Sequence, residues 1–177
     1  MLRRHEARGT FFVLGQAVEA NPDTLLHIKA EGHEIGNHTY DHPDAGAERD
    51  DRKLREQIER TNRCIERIAL TPPRLMRPPY GRDVCRVARL ASECGLSPTV
   101  LWSIQSWDWE APPAEQIAGR VLAETRPGAI ILLHDGAPPH DERTREPTVE
   151  ALGSILPALR EDGYECLTVS ELLADVG

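Results

Sequence analysis

The feature that most restricts the fold of this chain is a recurring order: a short apolar run, a small polar cluster, then an amphipathic stretch. Thr10-Phe11-Phe12-Val13-Leu14, ending at Gly15, reads as a buried strand. Ala129-Ile130-Ile131-Leu132-Leu133, after the turn Arg126-Pro127-Gly128, is the clearest buried strand in the sequence. Apolar periodicity and cap residues predict helices from Asn21-Pro22 to Gly32, Asp50 to Ile68, Asp83 to Cys94, Ala114 to Thr125 and Thr148 to Glu161, the last kinked at Pro157. Shorter strands are expected at Glu34–Gly36, Arg74–Met76, Thr99–Trp102 and Tyr164–Val169, with Ser170 capping a final helix. Strands that alternate with helices are joined by crossovers, so the pattern predicts an α/β fold around a largely parallel sheet, as one domain spanning 1–177.

Charge and composition exclude several functions. The formal net charge of -8 disfavours nucleic-acid binding, which needs a basic stripe to neutralise phosphates. The basic residues from Arg49 to Arg67 alternate with acidic ones at helical spacing and read as a solvated helix face. No apolar run approaches the roughly 20 residues of a membrane span, and Met1-Leu2-Arg3-Arg4-His5 lacks the apolar stretch of a signal peptide. The four cysteines, Cys64, Cys85, Cys94 and Cys166, have neither C-x-x-C nor scaffold spacing, and buried thiols are expected.

The unusual polar clusters all follow predicted strands: Asn37-His38-Thr39-Tyr40-Asp41-His42, Arg77-Pro78-Pro79-Tyr80-Gly81, Ser106-Trp107-Asp108-Trp109 and His134-Asp135-Gly136. In a parallel α/β barrel the C-terminal strand ends share one mouth, so these four clusters are expected on one face. The spacing of His38 and His42 lets two imidazoles reach one Zn²⁺ or neighbouring divalent ion, although an isolated H-x-x-x-H is weak evidence. His134 fits either a core histidine bonded to a backbone carbonyl or a proton donor to a leaving group. Asp108 either ends a strand or orients His134, with Trp107 and Trp109 as a wall for stacking sugars. Arg77 is either a surface arginine or part of a proline-stiffened loop whose backbone N–H groups face an oxyanion. The irregular stretch from Gly136 to Pro147 is expected to be a substrate-facing loop.

Together these clusters resemble the polysaccharide deacetylase family, also called the NodB-homology or carbohydrate esterase family 4 domain. The metal motif H-[ST]-x-x-H resembles His38-Thr39-Tyr40-Asp41-His42 after Asn37, and the arginine-proline motif resembles Arg77-Pro78-Pro79-Tyr80-Gly81. The aspartate-tryptophan motif resembles Ser106-Trp107-Asp108-Trp109, the leucine-histidine motif Leu132-Leu133-His134, and Gly9–Gly15 the family's second strand. The resemblance implies a distorted (β/α) barrel and divalent-metal-assisted removal of acetyl groups from carbohydrates rich in N-acetylhexosamine. It implies His38 and His42 as ligands of Zn, or of Co or Ni, His134 as general acid, Asp108 as its tuning partner and Arg77 as a catalytic-site residue. Leu132 would line the acetyl-methyl pocket, the Tyr80 backbone N–H would meet the oxyanion, and Pro79 and Trp109 would contact substrate. It also leans toward a secreted or bacterial cell-envelope location.

One motif departs from the pattern. The family's threonine-phenylalanine-aspartate-aspartate-glycine strand, which supplies the catalytic base and a third protein ligand, has no match before Thr10, and Met1–His5 resembles the end of the helix that follows that strand. Asp41, Asp44 and Asp135 are poor substitutes, and Gln105 stands where many members are acidic. An incomplete barrel without its first strand, weak metal binding and little deacetylation are therefore expected of this chain alone. Two alternatives stay open: a non-catalytic carbohydrate-binding relative that uses Tyr80, Trp107 and Trp109, and a small cyclic-amide hydrolase on the same fold.

Overall fold

A computed structural model describes residues 1–136 and 143–175. The backbone divides into two compact units, one spanning Gly9–Leu101 and the other joining Met1–Arg8 to the residues from Trp102 onward.

In the Gly9–Leu101 unit, β1 (Thr10–Val13) pairs in parallel with β2 (Glu34–Asn37), from Thr10 opposite Glu34 to Val13 opposite Asn37. The crossover between them carries α1 (Gly15–Ala20) and α2 (Pro22–Ala30), the latter opened by a proline in its first turn and followed by Gly32 at φ 79°. Parallel bridges then link Asn37 to Met76 and Met76 to Thr99. The expected strands at Arg74–Met76 and Thr99–Trp102 are thus single bridges: in this register the next donors on either side of Met76 would be residues 98 and 78, both prolines, and Ser97 donates to the Arg74 carbonyl instead.

The spine of this unit is α3 (Asp51–Ala69), started by Asp50, whose carboxylate accepts from the Arg52 N–H at 2.9 Å. Leu54, Ile58, Thr61, Cys64, Ile65 and Ala69 form its buried face. Leu54 and Ile58 pack in one core with Met76 and with Val87 and Leu90 of α4 (Val84–Glu93), whereas Ile65 and Cys64 pack in a second with Val18 and Leu25. Each fully buried Leu or Ile contributes roughly 1.5–3 kcal/mol, so this helix fixes everything that leans on it. The opposite face is solvated, with an ion pair between Arg63 and Glu59 as the charge pattern predicted.

In the second unit a 3₁₀ turn at Leu2–His5 closes with Glu6 at φ 54°, the Ala7 N–H reaching the Leu2 carbonyl at 3.1 Å and the Glu6 N–H the Arg3 carbonyl at 3.2 Å, the bond pattern with which helices commonly end. β3 (Ile104–Gln105) and β4 (Ile131–Leu132) pair in parallel. The run Ala129–Leu133 keeps only two ladder residues, since Ser103 and Ile104 both donate to the Ile130 carbonyl and its neighbours fall outside the register. α5 (Ala114–Glu124) and α6 (Glu146–Glu161) bury Ile117, Val121, Ala151, Ile155 and Leu159 against Ile104, and α6 continues through Pro157.

Three further expectations change. Tyr164–Val169 is not a strand: Arg8 donates to the Cys166 carbonyl at 2.9 Å, and α7 (Val169–Asp175) begins at Val169. The cap of α7 is Thr168 and not Ser170. The Thr168 hydroxyl accepts from the Glu171 N–H at 3.3 Å while Glu171 accepts from the Thr168 N–H at 2.9 Å, a reciprocal capping box in T-x-x-E. Of the cysteines only Cys64 is buried, and Cys85 is exposed on the solvent side of α4; all four are unbridged. Part of the expected substrate-facing stretch Gly136–Pro147 lies outside the described residues.

Candidate active site

The His38–His42 loop starts where β2 ends and is held almost wholly through its backbone. His38 donates its N–H to the Val13 carbonyl at 3.0 Å, and α1 donates the Gly15 and Gln16 N–H groups to the Thr39 and Tyr40 carbonyls, both at 3.0 Å. Only glycine fits at position 15, where an added Cβ would lie 2.6 Å from Tyr40 and 2.7 Å from Thr61. Asn37, fully buried, donates from Nδ2 to the Ile58 carbonyl (2.9 Å) and Asn62 (2.7 Å) and accepts the Thr39 N–H at 2.8 Å. That last bond closes an Asx turn, which admits Thr39 at φ 69°; His42 is also left-handed at φ 65°. Positive φ costs a β-branched or bulky residue energy, so the neighbouring bonds must over-determine this path.

The two imidazoles meet edge to face with ring centres 4.9 Å apart, and His42 packs likewise on Tyr80 at 4.5 Å. Nδ1 of His38 lies 2.6 Å from the Arg77 carbonyl. A carbonyl only accepts, so Nδ1 carries the proton, and in the neutral ring Nε2 holds the lone pair. Metal-binding histidines are commonly arranged this way. The chemistry of the donors therefore fits two ligands of a divalent ion, while among the described residues no group of three His, Cys, Asp or Glu is placed to hold one.

Arg77 is 8% exposed and not a surface arginine. Its guanidinium lies 4.2 Å over the Phe12 ring and donates to the Leu101 carbonyl at 3.0 Å, and burial pushes its pKa down to about 10. Gly36 makes room for this stack, since an added Cβ would sit 2.6 Å from the Phe12 ring. Pro79 is buried, whereas Tyr80 is 57% exposed and lies at φ 58° in a 3₁₀ turn.

In the other unit, Asp108 is 1% exposed and accepts hydrogen bonds at both carboxylate oxygens. Oδ1 accepts from Nδ1 of His134 at 2.8 Å, and Oδ2 accepts from the His134 N–H at 2.6 Å and from the Thr148 hydroxyl at 3.0 Å. The Ser106 hydroxyl lies 2.9 Å from Oδ1 and 2.7 Å from the Leu132 carbonyl, and its one proton serves either. Burial raises the Asp108 pKa, but the His134 ring and N–H bonds and Ser106 outweigh it and hold the carboxyl below its ordinary value. His134 is thus bonded to a carboxylate and not to a backbone carbonyl, and its side chain is 37% exposed.

Leu132 is buried. Trp107 and Trp109 have ring centres 5.9 Å apart, with Trp107 43% exposed and at φ 60°. Gln105 accepts from the indole N–H of Trp102 at 3.3 Å. Arg145, just before α6, donates to the carbonyls of Gly136 at 3.0 Å and Trp109 at 3.2 Å and so ties the segments after β3 and β4 together.

The sequence profile described as polysaccharide deacetylase matches residues 1–99. The chain belongs to the polysaccharide deacetylase family. It is 38% identical to a chitooligosaccharide deacetylase of Bradyrhizobium sp. (strain ANU 289), over 97% of this chain and 81% of that one. It is 40% identical to a peptidoglycan-N-acetylglucosamine deacetylase of Bacillus cereus, over 98% and 78%. Among solved structures, a CE4 family pseudoenzyme from Bacillus anthracis matches with a TM-score of 0.86 and 32% identity over 97% of this chain; the chain spans 57% of that structure's length. The α/β fold of the polysaccharide deacetylase type expected from the motifs is the one these relatives share.

Several residues that shape the family's motifs here carried no signal of their own. Thr148 was legible only as a helix start, Gln57 as a polar residue on a charged helix, and Arg145 as part of an irregular stretch. Nothing in local spacing ties any of the three to a histidine.

Proposed function

We propose that this polysaccharide deacetylase-family chain removes acetyl groups from carbohydrates of the N-acetylhexosamine class, in the bacterial envelope or outside the cell, as one functional domain. The observation that carries the reading is the buried Asp108 carboxylate bonded to Nδ1 of His134 at the end of β4. An imidazole whose Nδ1 proton is held by a carboxylate can carry its exchangeable proton on Nε2 and give it to a leaving amine or alcohol. Asp108 stabilises the imidazolium before transfer and fixes the tautomer after it.

His38 and His42 are proposed as ligands of Zn²⁺, or of Co²⁺ or Ni²⁺. Such an ion supplies Lewis-acid polarisation of an acetyl carbonyl and a more acidic bound water. Two imidazoles alone give weak binding at most, so the affinity of this chain is expected to be low. Tyr80, with its backbone fixed in a left-handed turn, is proposed to present its N–H to the developing oxyanion, and Arg77 to contribute charge beside the His38 loop. Leu132, Pro79 and Trp109 are proposed to contact the acetyl group and the sugar.

The test is acetate release from N-acetylglucosamine oligomers in the presence of Zn²⁺ or Co²⁺, with His134→Ala as control. Release that His134→Ala abolishes supports the reading; release that His134→Ala leaves unchanged overturns it. A second reading, carbohydrate binding without hydrolysis, is favoured by the exposed Trp107 beside Trp109 and by the likeness to a pseudoenzyme. Oligomer binding with no acetate at any metal concentration would select it.

A further inference from the structure

Between His38 and His42 the Thr39 and Tyr40 carbonyls meet the start of α1, while side chains take up the N–H groups. The Thr39 N–H goes to Asn37, and the next two donors, the N–H groups of Tyr40 and Asp41, converge on one oxygen of Gln57 at 2.9 and 3.1 Å. Because both partners donate, that atom must be the carboxamide oxygen and not the nitrogen. Gln57 lies 17 residues along the chain from Tyr40, on α3, and its neighbour Ile58 gives its carbonyl to Asn37. A single turn of the best-packed helix in this unit therefore grips the loop before His38 and again just before His42.

We infer that Gln57 is a positioning residue for the histidine pair, its Oε1 fixing the loop path that presents both imidazoles to a divalent cation. The inference rests on the metal reading proposed above. Without the acceptor two adjacent N–H groups turn to water, the left-handed conformation at His42 loses the bonds that precede it, and the rings no longer share one orientation. Groups that orient metal ligands from behind commonly change affinity by roughly 10–100-fold when removed.

The experiment compares the whole chain with Gln57→Met, which keeps the volume and loses the acceptor, and Gln57→Glu, which keeps an oxygen in place. Amide hydrogen exchange at Tyr40 and Asp41 is measured by NMR without metal, and Co²⁺ alone is then titrated while its visible absorption is followed. Expected are about tenfold faster exchange at both amides, Co²⁺ affinity lower by roughly 10–100-fold and an almost unchanged melting temperature in Gln57→Met, with both properties restored in Gln57→Glu. If Gln57→Met binds Co²⁺ like the parent, the inference is overturned and the metal reading stands. If the melting temperature and the affinity fall together and Gln57→Glu restores neither, the role is structural and the inference fails. A parent chain that binds no Co²⁺ overturns both readings.

Discussion

The two histidine sites solve the same problem by opposite means. At His134 the orientation comes from side chains: a buried carboxylate with donors from Ser106, Thr148 and the His134 ring and N–H around it. At His38 and His42 it is imposed on the backbone, where the Asn37 and Gln57 side chains, α1 and the Arg77 carbonyl shape a loop that passes twice through left-handed φ. The first site carries its own negative charge and is electrostatically complete as it stands. The second pairs two imidazoles edge to face, the arrangement proposed above to receive a cation. On the proposed roles, a proton donor is held by a buried charge, whereas a ligand pair is held by a loop that adds no competing charge of its own.

If that contrast is right, the largest effects come from emptying the Asp108 position. Asp108→Ala leaves the donors of His134 and Thr148 without their acceptor, while Ser106 keeps the Leu132 carbonyl, and should cost about 3 kcal/mol of stability, seen as a lower denaturation midpoint. Asp108→Asn keeps the shape but replaces one acceptor by a donor that faces other donors. It should lower acetate release by roughly 10²–10⁴-fold and leave Co²⁺ affinity alone. A large loss of Co²⁺ binding in Asp108→Asn would break the contrast. His42→Ala should behave in the opposite sense. It abolishes metal binding but changes stability by less than about 1 kcal/mol, because the ring is half-buried and packs edge to face on His38 and Tyr80. Calorimetric Zn²⁺ titration of the parent chain should show weak binding, and a tight one-to-one site would overturn the two-ligand account.

The same contrast explains what could be read from the sequence. The alternation of apolar runs and amphipathic helices was legible, because burial imposes its period directly on neighbouring residues, and α3 and α5 begin and end within a residue or two of their expected bounds. The chemical residues were legible because a histidine, a tryptophan pair or an Arg-Pro-Pro stands out against its surroundings. Their supports were not. Thr148 sits forty residues from Asp108, and Gln57 meets Tyr40 only after α3 folds back, so neither leaves a mark in local spacing. Strand lengths were misjudged for a related reason. Apolar runs such as Ala129–Leu133 report burial, but a ladder also needs a partner in register, and here only Ile131 and Leu132 have one.

A smaller effect sharpens the charge side of the contrast. Because hydrogen bonds hold the folded Asp108 carboxyl below its ordinary value of 3.8, it contributes stability that is present above that value and lost as pH falls through the folded pKa. Thr148→Val removes one donor and keeps the volume. The folded pKa should rise toward the ordinary value, stability at neutral pH should drop by about 1 kcal/mol, and acid unfolding should begin at higher pH. Thr148→Ser, which keeps the hydroxyl, should change neither quantity much. An acid-unfolding curve for Thr148→Val that overlays the parent would show that Ser106 and His134 alone keep Asp108 ionised.

The smallest expected change tests whether strain outside the two sites has a functional counterpart. Trp107 places a large ring at φ 60° with 43% of its surface exposed, a position where an L-residue loses energy and little burial returns it. Trp107→Gly relieves the backbone and gives up contacts with Trp109, so the two terms nearly cancel and stability should shift by no more than about 0.5 kcal/mol. Binding of N-acetylglucosamine oligomers should still weaken if the exposed ring is the sugar platform of the second reading. If oligomer binding is unchanged while stability rises, the tryptophan is not a sugar platform, and the left-handed turn at Trp107 serves only to aim Asp108 into its buried position.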